Sequence, residues 1–598
     1  MPPANETVAA LLREFAELLA IAGGDQFRSR NYEKAAKSVA GYGGDVSQLG
    51  EGGLRAIPGV GASIAAKIVQ YQRTGTIAAL EDLRATIPDG VRELTKIPAL
   101  GPRRALQLYR ELGIGSVAEL SAAIDQGRLA DLRGFGPKSE DKLRHSIELA
   151  RSLSQRVPLD VASAVARRVV AAISAVPGCE RCEHAGSLRR FRETIGDIDV
   201  LAAARDSGPL MQAIADLPEV TEVIVRGPAK TSVLISTGPP ARPGGHRGAV
   251  PQGQRRGSIQ VDLRVVPPEC WGAALQYFTG SQAHNVAVRE IAVRKKLKLS
   301  EYGLFDAASG DLIASETEEE VYRQLGLAWV PPPLREDTGE VRAALRGELP
   351  DLIQAADVRG DLHVHTNLTD GVGTLQDMVL AARARGYEYV AITDHAPDLF
   401  MQRMTLDKML IQRHELAGLA QRLAADGGPP IALLHGTELN IGPDGSVDWP
   451  QEILAGFDLC VASVHSHFDQ PRAAMTRRFL RACENPGVHV IGHPSARRIG
   501  RRPPVDVDFG ELFRACAATG TALEINASPG RLDLSSDYIK AARDAGVVFA
   551  IDTDAHAVGH LDFLPYGVGT AQRGWLTADD VINTWPLDRL RAFLGASG

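Results

Sequence analysis

Asp197 and Asp199 stand two residues apart in Gly196-Asp197-Ile198-Asp199, and a third aspartate follows in Val261-Asp262-Leu263. On an extended strand, residues i and i+2 share a face, so the first two carboxylates project together. Asp262 on a neighbouring strand would complete a cluster of three hard oxygen donors. Such a cluster suits Mg2+ (or Mn2+), which takes a few carboxylates and leaves its remaining positions to substrate phosphates. Two ions about 4 Å apart activate a 3′-hydroxyl and stabilise a leaving pyrophosphate. Gly186-Ser187 lets backbone and hydroxyl approach a triphosphate, with Arg190 and Arg156 as charge partners. A bare Asp-x-Asp is weak evidence, since surface acidic pairs are frequent. The ordered set Gly-Ser, Asp-x-Asp, Asp is far more specific.

A second constellation fills the other half of the chain. His363, His365, Asp370, His395, Glu438, His465, His493, Asp554 and His556 fall at or just after the ends of apolar runs. A lone histidine is more often structural than a ligand, but nine imidazoles and carboxylates at one rim are a different proposition. Mixed nitrogen and oxygen donors fit Zn2+, Mn2+ or Fe2+ better than Mg2+. Nine protein ligands exceed what one ion accepts and suit two or three divalent ions. His467 and Arg497 are candidate phosphate contacts and equally ordinary surface residues.

The elements that must carry these groups differ along the chain. Up to about residue 150, short amphipathic helices alternate with glycine turns. Three turns resemble one another: Ile57-Pro58-Gly59-Val60-Gly61, Ile97-Pro98-Ala99-Leu100-Gly101 and Leu132-Arg133-Gly134-Phe135-Gly136. A glycine turn opening a helix aims free N–H groups outward and makes an anion site. Three at near-regular spacing mark helix-hairpin-helix elements that grip nucleic-acid backbones, through Gly59, Gly61, Gly101, Gly134 and Gly136. Ala99 replaces the first glycine of the middle copy, which predicts a weaker grip there. From about 160 to 330 the pattern is mixed α/β, with strand-like runs at 198–203, 222–225, 232–236 and 259–266 and a basic Pro/Gly-rich loop over 237–257. Residues 331–359, opening on three prolines, read as a linker with a short helix. Beyond 360, strand runs at 360–365, 389–395, 431–440, 459–467, 488–493, 522–526 and 547–556 alternate with helices. Seven such units predict a closed or nearly closed parallel barrel, whose active site lies at the strand C-termini.

Composition excludes other classes. The chain has 598 residues, 44% hydrophobic and 23% charged, with six cysteines and a net charge of −7. No run approaches the roughly 20 apolar residues of a membrane span, and the N-terminus lacks a signal-peptide pattern. Six scattered cysteines make no disulfide framework, and Cys179-x-x-Cys182 has no second pair to complete a zinc site, so a reducing cytoplasm is expected. Charge is divided: residues 1–300 balance to +9 and residues 301–598 to −16, while eleven of fifteen histidines lie beyond 360. A basic half suits a phosphate-rich partner, and an acidic, histidine-rich half suits metals.

On these motifs the first half resembles the family X DNA polymerases, of which DNA polymerase beta is the best known. Tyr277-Phe278-Thr279-Gly280-Ser281, followed by Asn285 and Arg289, stands in the family's order. The resemblance implies that Tyr277 and Phe278 flank the deoxyribose, with Gly280 and Ser281 beside them. It also implies that Asn285 and Arg289 face the minor-groove side of the nascent pair. Gln260 departs from the family's arginine, and the 237–257 loop is an insertion. Lys67 stands where that polymerase has its lyase lysine and Tyr32 matches too, but Arg28 and Ser63 replace phosphate-binding lysines, so an ordinary phosphate or solvent contact is the first reading of Lys67 and a lyase role the second. The second half is similar to the PHP (polymerase and histidinol phosphatase) family from His363 to His556. Together these imply a multidomain α/β chain as in bacterial family X polymerases: an N-terminal helix-hairpin-helix domain at 1–90, a fingers-like helical domain at 91–158, a nucleotidyltransferase palm at 159–285, a thumb at 286–330, a linker at 331–359 and a distorted (β/α)7 PHP barrel at 360–598. The expected activity is short-gap filling in DNA repair with a Mn-dependent 3′–5′ exonuclease. The expected partners are gapped or primer–template DNA and dNTPs, with no membrane and a monomeric chain. The rivals are a phosphomonoesterase barrel and a DNA-end-binding scaffold; complete ligand sets disfavour the scaffold, because charged clusters cost desolvation.

Overall fold

The structure is a computed structural model and describes residues 3–595 apart from 23–25, 41, 43–44, 88, 96, 98–99, 101, 130–131, 133–134, 136–142, 144–146, 148–155, 239–256 and 400–403. Among the described residues no helix is long and apolar enough to cross a membrane.

The chain opens on short helices around one apolar core. In the first glycine turn, Ile57 and Val60 are buried and pin the loop from within. Gly59 between them takes φ +81, which a Cβ would strain. Gly61 then caps the helix Ala62–Thr74. At the other two sequence repeats Ile97, Leu100 and Phe135 are also buried; Pro98, Ala99, Gly101, Arg133, Gly134 and Gly136 lie outside the described residues.

The segment expected as a palm contains a five-stranded sheet in the order Arg181–His184, Asp197–Ala203, Ser258–Val266, Lys230–Ser236, Val220–Arg226. Asp197–Ala203 and Ser258–Val266 run parallel, in a register that sets Asp199 opposite Asp262. Helices Leu159–Ser174 and Gly208–Ala215 bury Val165, Val169, Ile173, Leu210 and Ile214 against one face. Trp271–Thr279 covers the other through Trp271 and Leu275.

A three-stranded antiparallel sheet and the helix Glu318–Gln324 follow. The stretch expected as a linker with a short helix contains that helix at Glu340–Arg346 and is packed into the fold. Leu334 is 1% exposed, and Arg335 and Glu340 are fully buried. Arg335 donates to Glu318 Oε1 at 2.6 Å, and Arg189 grips both Glu318 oxygens at 2.9 and 3.0 Å. Burial works to raise the Glu318 carboxyl, but the Arg335 and Arg189 guanidiniums overcome it and hold it at about 2. A folded value below the unfolded one stabilises fully above the ordinary range, and that share is lost as pH falls from about 4.3 towards 2. We expect Glu318→Gln, which strands Arg335, to cost about 3–5 kcal/mol near neutrality. Thermal unfolding checks this: the gap to the native protein should narrow below about pH 4, and a gap that does not change with pH would sink the assignment.

The C-terminal half is a seven-stranded parallel sheet whose strands lie in chain order: Gly360–Val364, Tyr389–Ile392, Ala432–Asn440, Leu459–Ser463, Val490–Ile491, Ala522–Asn526 and Phe549–Asp552. Both faces of these strands are buried, which is why they read as nearly unbroken apolar runs. Val364 bridges to Ala555, and the His365 N–H donates to the Ala555 carbonyl at 2.8 Å, bringing the last strand back to the first. The barrel is nearly closed, and its C-terminal rim is where the nine candidate ligands fall.

Candidate metal centres

In the palm, Asp197, Asp199 and Asp262 bring one oxygen each within 4.8 Å of the others. Strand alternation and the Asp199–Asp262 register produce this directly. Gly186, at φ +63, sits so close that a Cβ would lie 2.3 Å from Asp199 Oδ2. Glycine there is a condition of the cluster. Burial, then the charges of Asp197 and Asp262, push the Asp199 carboxyl up to about 7. Three carboxylates that resist joint ionisation are what a divalent cation neutralises. Burial also acts to raise Asp262, but Lys230 Nζ at 2.6 Å and Gln260 Nε2 at 2.9 Å hold it below its ordinary value. Gln260 thus contributes a hydrogen bond to the third aspartate.

Around this cluster, Arg156 donates from Nε to Thr194 Oγ1 at 2.9 Å and from Nη2 to the Thr194 carbonyl. Ser187 lies in the one-turn helix Gly186–Arg189. Arg190 Nε binds Glu336 at 3.0 Å. Tyr277 and Phe278 meet edge to face at 5.2 Å, with Arg264 stacked 4.5 Å over Phe278. Gly280, at φ +68, ends their helix, and Ser281 caps the next by accepting from the His284 N–H. Asn285 is locked between the Gln276 amide at 2.9 Å and the Tyr277 carbonyl at 2.7 Å. Arg289 Nε donates to the Asn285 carbonyl. The structure therefore joins the residues from 277 to 289 by contact, and Arg190 reaches them through the Thr279 carbonyl.

At the barrel rim five of the predicted imidazoles converge on one predicted carboxylate, Glu438, and Asp370, Asp554 and His556 stand around them. Glu438 Oε2 lies 2.9 Å from His395 Nδ1 and 3.5 Å from both His363 Nε2 and His365 Nε2. Its Oε1 lies 3.1 Å from His465 Nε2 and 3.1 Å from His493 Nε2. Asp370 joins His395 at 3.4 Å to His556 at 3.0 Å, and Asp554 Oδ1 stands 3.3 Å from His365 Nε2. Three overlapping ligand groups result: His365–Asp370–His395–His556, His363–His365–Asp554 and His395–Glu438–His465. Several of these atoms are buried without a hydrogen-bond partner, among them His363 Nε2, both nitrogens of His365 and Asp370 Oδ1. Buried lone pairs facing one another need a cation between them. The donor set is one that metal ions could fill.

Sequence reasoning missed the residues behind the ligands. Glu524 holds His363 Nδ1 at 2.6 Å, leaving Nε2 for a metal, and Asn440 does the same for His465 Nδ1 at 2.6 Å. The available signal was a Glu within one apolar strand and an Asn closing another. Arg531 is also new: it is 8% exposed, its Nε is 3.5 Å from Asp554, and its Nη1 is buried without a partner. Arg497, a candidate phosphate contact, instead binds Glu193 of the palm at 2.6 Å. His467 lies at the rim, bonded to Ser466.

At the first helical hairpin a cavity of about 650 Å3 is lined by Arg28, Tyr32, Arg55, Gly59, Gly61 and Ser63. Lys67 Nζ takes the Ser63 hydroxyl at 3.1 Å and lies 5.7 and 5.8 Å from the Phe15 and Tyr32 ring centres. That is a seat for a cation beside an anion pocket.

Family models match four parts of the chain: a helix-hairpin-helix domain at 3–77, a SAM-like helix-hairpin-helix tandem at 91–148, the DNA polymerase beta thumb at 274–336 and a PHP domain at 361–528. The DNA polymerase/3′-5′ exonuclease PolX of Bacillus subtilis is 32% identical over 591 residues, covering 99% of each chain. DNA polymerase lambda of Rattus norvegicus is 28% identical over 335 residues, 52% of this chain and 53% of its own. The probable phosphatase YcdX of Escherichia coli K12 is 30% identical over 206 residues, 33% of this chain and 78% of its own.

Proposed function

The chain belongs to the family X DNA polymerases that carry a C-terminal PHP domain, and on that footing we propose that it fills short gaps in DNA at the palm and removes 3′-terminal nucleotides at the barrel. The observation that supports this is the presence of two separate clusters of candidate ligands in one chain, one of carboxylates alone and one of mixed imidazoles and carboxylates. The proposed division follows the one read from the sequence: hairpin domains at 1–90 and 91–158, palm at 159–285, thumb at 286–330, a packed connecting segment at 331–359 and barrel at 360–598.

At the palm, Asp197, Asp199 and Asp262 hold Mg2+ or Mn2+, which when bound supplies charge neutralisation for the triphosphate and lowers the 3′-hydroxyl pKa. Gly186 and Ser187 admit the phosphates, and Arg190 and Arg156 supply cationic N–H donors. Tyr277 and Phe278 shape the sugar pocket, while the fixed Asn285 and Arg289 present donors to base edges. Gly59, Gly61, Gly101, Gly134 and Gly136 grip the DNA backbone without reading sequence. Lys67 beside the hairpin cavity contacts a 5′-phosphate; a lyase role for it is the secondary reading.

At the barrel, His363, His365, Asp370, His395, Glu438, His465, His493, Asp554 and His556 hold two or three ions, Mn2+ being the best support for nuclease activity. Bound there, the ions supply an activated water and a clamp on phosphate oxygens. Glu524 and Asn440 orient two imidazoles, and the unpartnered Arg531 Nη1 offers a donor to a substrate phosphate. Similarity of a third of the chain to a probable phosphatase favours a second reading, removal of 3′-phosphates. A 5′-labelled primer–template with Mn2+, with and without dNTPs, tests all of this. Extension with dNTPs and stepwise shortening without them are expected. Release of a 3′-phosphate with no shortening would favour the second reading, and binding alone would overturn both.

A further inference from the structure

The palm loop that carries Arg190 is held from the barrel domain at three residues. Arg573, ending the helix Leu564–Arg573, donates from Nη1 to the Arg190 carbonyl at 2.8 Å and to Glu336 Oε1 at 2.9 Å. The Phe191 ring fills the space over Gly569 of the same helix, where a Cβ would lie 2.1 Å from a ring carbon. Arg497 closes on Glu193 with contacts of 2.6 and 3.2 Å. Glu336 Oε1 also accepts from Arg190 Nε at 3.0 Å, and Arg190 Nη1 donates to the Thr279 carbonyl.

These are not loose surface pairs. The Arg573 side chain is 8% exposed and that of Glu336 18%. Burial works to raise the Glu336 carboxyl, yet Arg190 and Arg573 hold it below its ordinary value; Arg192, 3.8 Å away, is the third cation facing it. An arginine fork has a rigid plane, so fixing Nε and Nη1 fixes the direction of every N–H it carries. Those two contacts leave the Nη2 corner for a further acceptor. A fork already oriented loses little side-chain freedom when an anion arrives, whereas one on a free stem must be frozen at that moment.

We propose that Glu336 and Arg573 are positioning residues of the nucleotide site, through which the barrel domain holds the Arg190 guanidinium in the orientation a dNTP triphosphate requires; this rests on the reading of Arg190 as a triphosphate contact. Nucleotide affinity then depends on a residue 383 positions away in the other catalytic domain, while the chemical step at the aspartates does not. Arg573 acts twice, on the acceptor that aims the fork and on the backbone from which the fork grows.

The experiment uses the full-length chain on gapped primer–template, with dNTP varied, and compares Arg573→Met, Arg573→Lys, Glu336→Gln and Arg190→Ala. Arg573→Met and Glu336→Gln should each raise the dNTP KM about five- to tenfold with kcat changed less than about twofold, the pattern of lost binding rather than lost chemistry. Arg573→Lys, which keeps the charge but not the fork, should recover part of the loss. Arg190→Ala should raise KM at least as much, and adding Arg573→Met to it should change KM no further, because both act through one group. A native KM in both Arg573→Met and Glu336→Gln, with KM raised in Arg190→Ala, overturns the positioning role. A native KM in Arg190→Ala overturns the reading beneath it. If KM and kcat deteriorate together with a lowered thermal transition, the contacts are merely structural and the proposal fails. Should Arg573→Met not fold, Glu336→Gln, which preserves volume and an acceptor oxygen, decides alone.

Discussion

Asp262→Asn is expected to lower primer extension at least about a thousandfold, a barrier increase of about 4 kcal/mol, while 3′-end removal by the same preparation stays within about twofold of native. The substitution is isosteric and takes away one negative charge from the cluster that would neutralise bound Mg2+. It leaves Lys230 without its 2.6 Å partner, but the Lys230 side chain is 34% exposed, so its charge turns to water at small cost. The palm should therefore remain folded, which thermal unfolding checks. Gly186→Ala provides an independent arm that deletes no ligand. Its methyl group would sit 2.3 Å from Asp199 Oδ2 on a backbone at φ +63, so either Asp199 or the Gly186–Arg189 turn must move. A misplacement of that size at a reacting centre costs about a hundredfold. Extension by folded Asp262→Asn at more than a tenth of the native rate would remove the aspartates from the mechanism. Parallel loss of the nuclease would mean that the two sites are not separate.

Both clusters were legible because their physical determinants are local. A strand puts i and i+2 on one face, which assembles Asp197 and Asp199 without knowledge of the fold. Parallel barrel strands are buried on both faces, so a histidine or acid ending an apolar run marks the rim, and all seven runs became strands. What escaped depended on partners far along the chain. Glu524 lies in a run legible only as a strand, and its meaning comes from His363, 161 residues earlier. Arg497 looked like a surface cation because Glu193, its partner, is 304 residues away in another domain. The strand Arg181–His184 has no apolar alternation, since it is a partly exposed edge strand held by backbone pairing with Val200–Ala203. The three prolines at 331–333 open a stretch read as a linker with a short helix, and that helix is Glu340–Arg346. The residues after them bury Leu334 and Arg335, the latter against an acid that sequence distance conceals.

Glu438→Gln should abolish nuclease activity by at least about a thousandfold, again about 4 kcal/mol, and leave extension unchanged. Glu438 is the residue to replace because its two oxygens are shared among five imidazoles, two on Oε1 and three on Oε2. A carboxylate so placed can bridge two ions, and a carboxamide, neutral and with one oxygen, cannot. Bound Mn2+, measured by elemental analysis after dialysis, should therefore fall together with activity. The prediction also has a stability side. Asp370, Asp554 and Glu524 stand around the same imidazoles, and stripping the ions leaves their charges without the counter-charge they were built for. Chelation of the native protein should lower the barrel's unfolding temperature, and Mn2+ should restore it better than Mg2+, because imidazole donors favour the softer ion. In Glu438→Gln one of the repelling charges is already gone, so chelation should lower its unfolding temperature less. This separates lost catalysis from lost fold: a variant that unfolds cooperatively, extends primers normally and no longer binds its full complement of Mn2+ has lost the site alone. A folded Glu438→Gln protein that still shortens 3′ ends at the native rate, with native Mn2+ content, would show that this carboxylate neither bridges nor is needed.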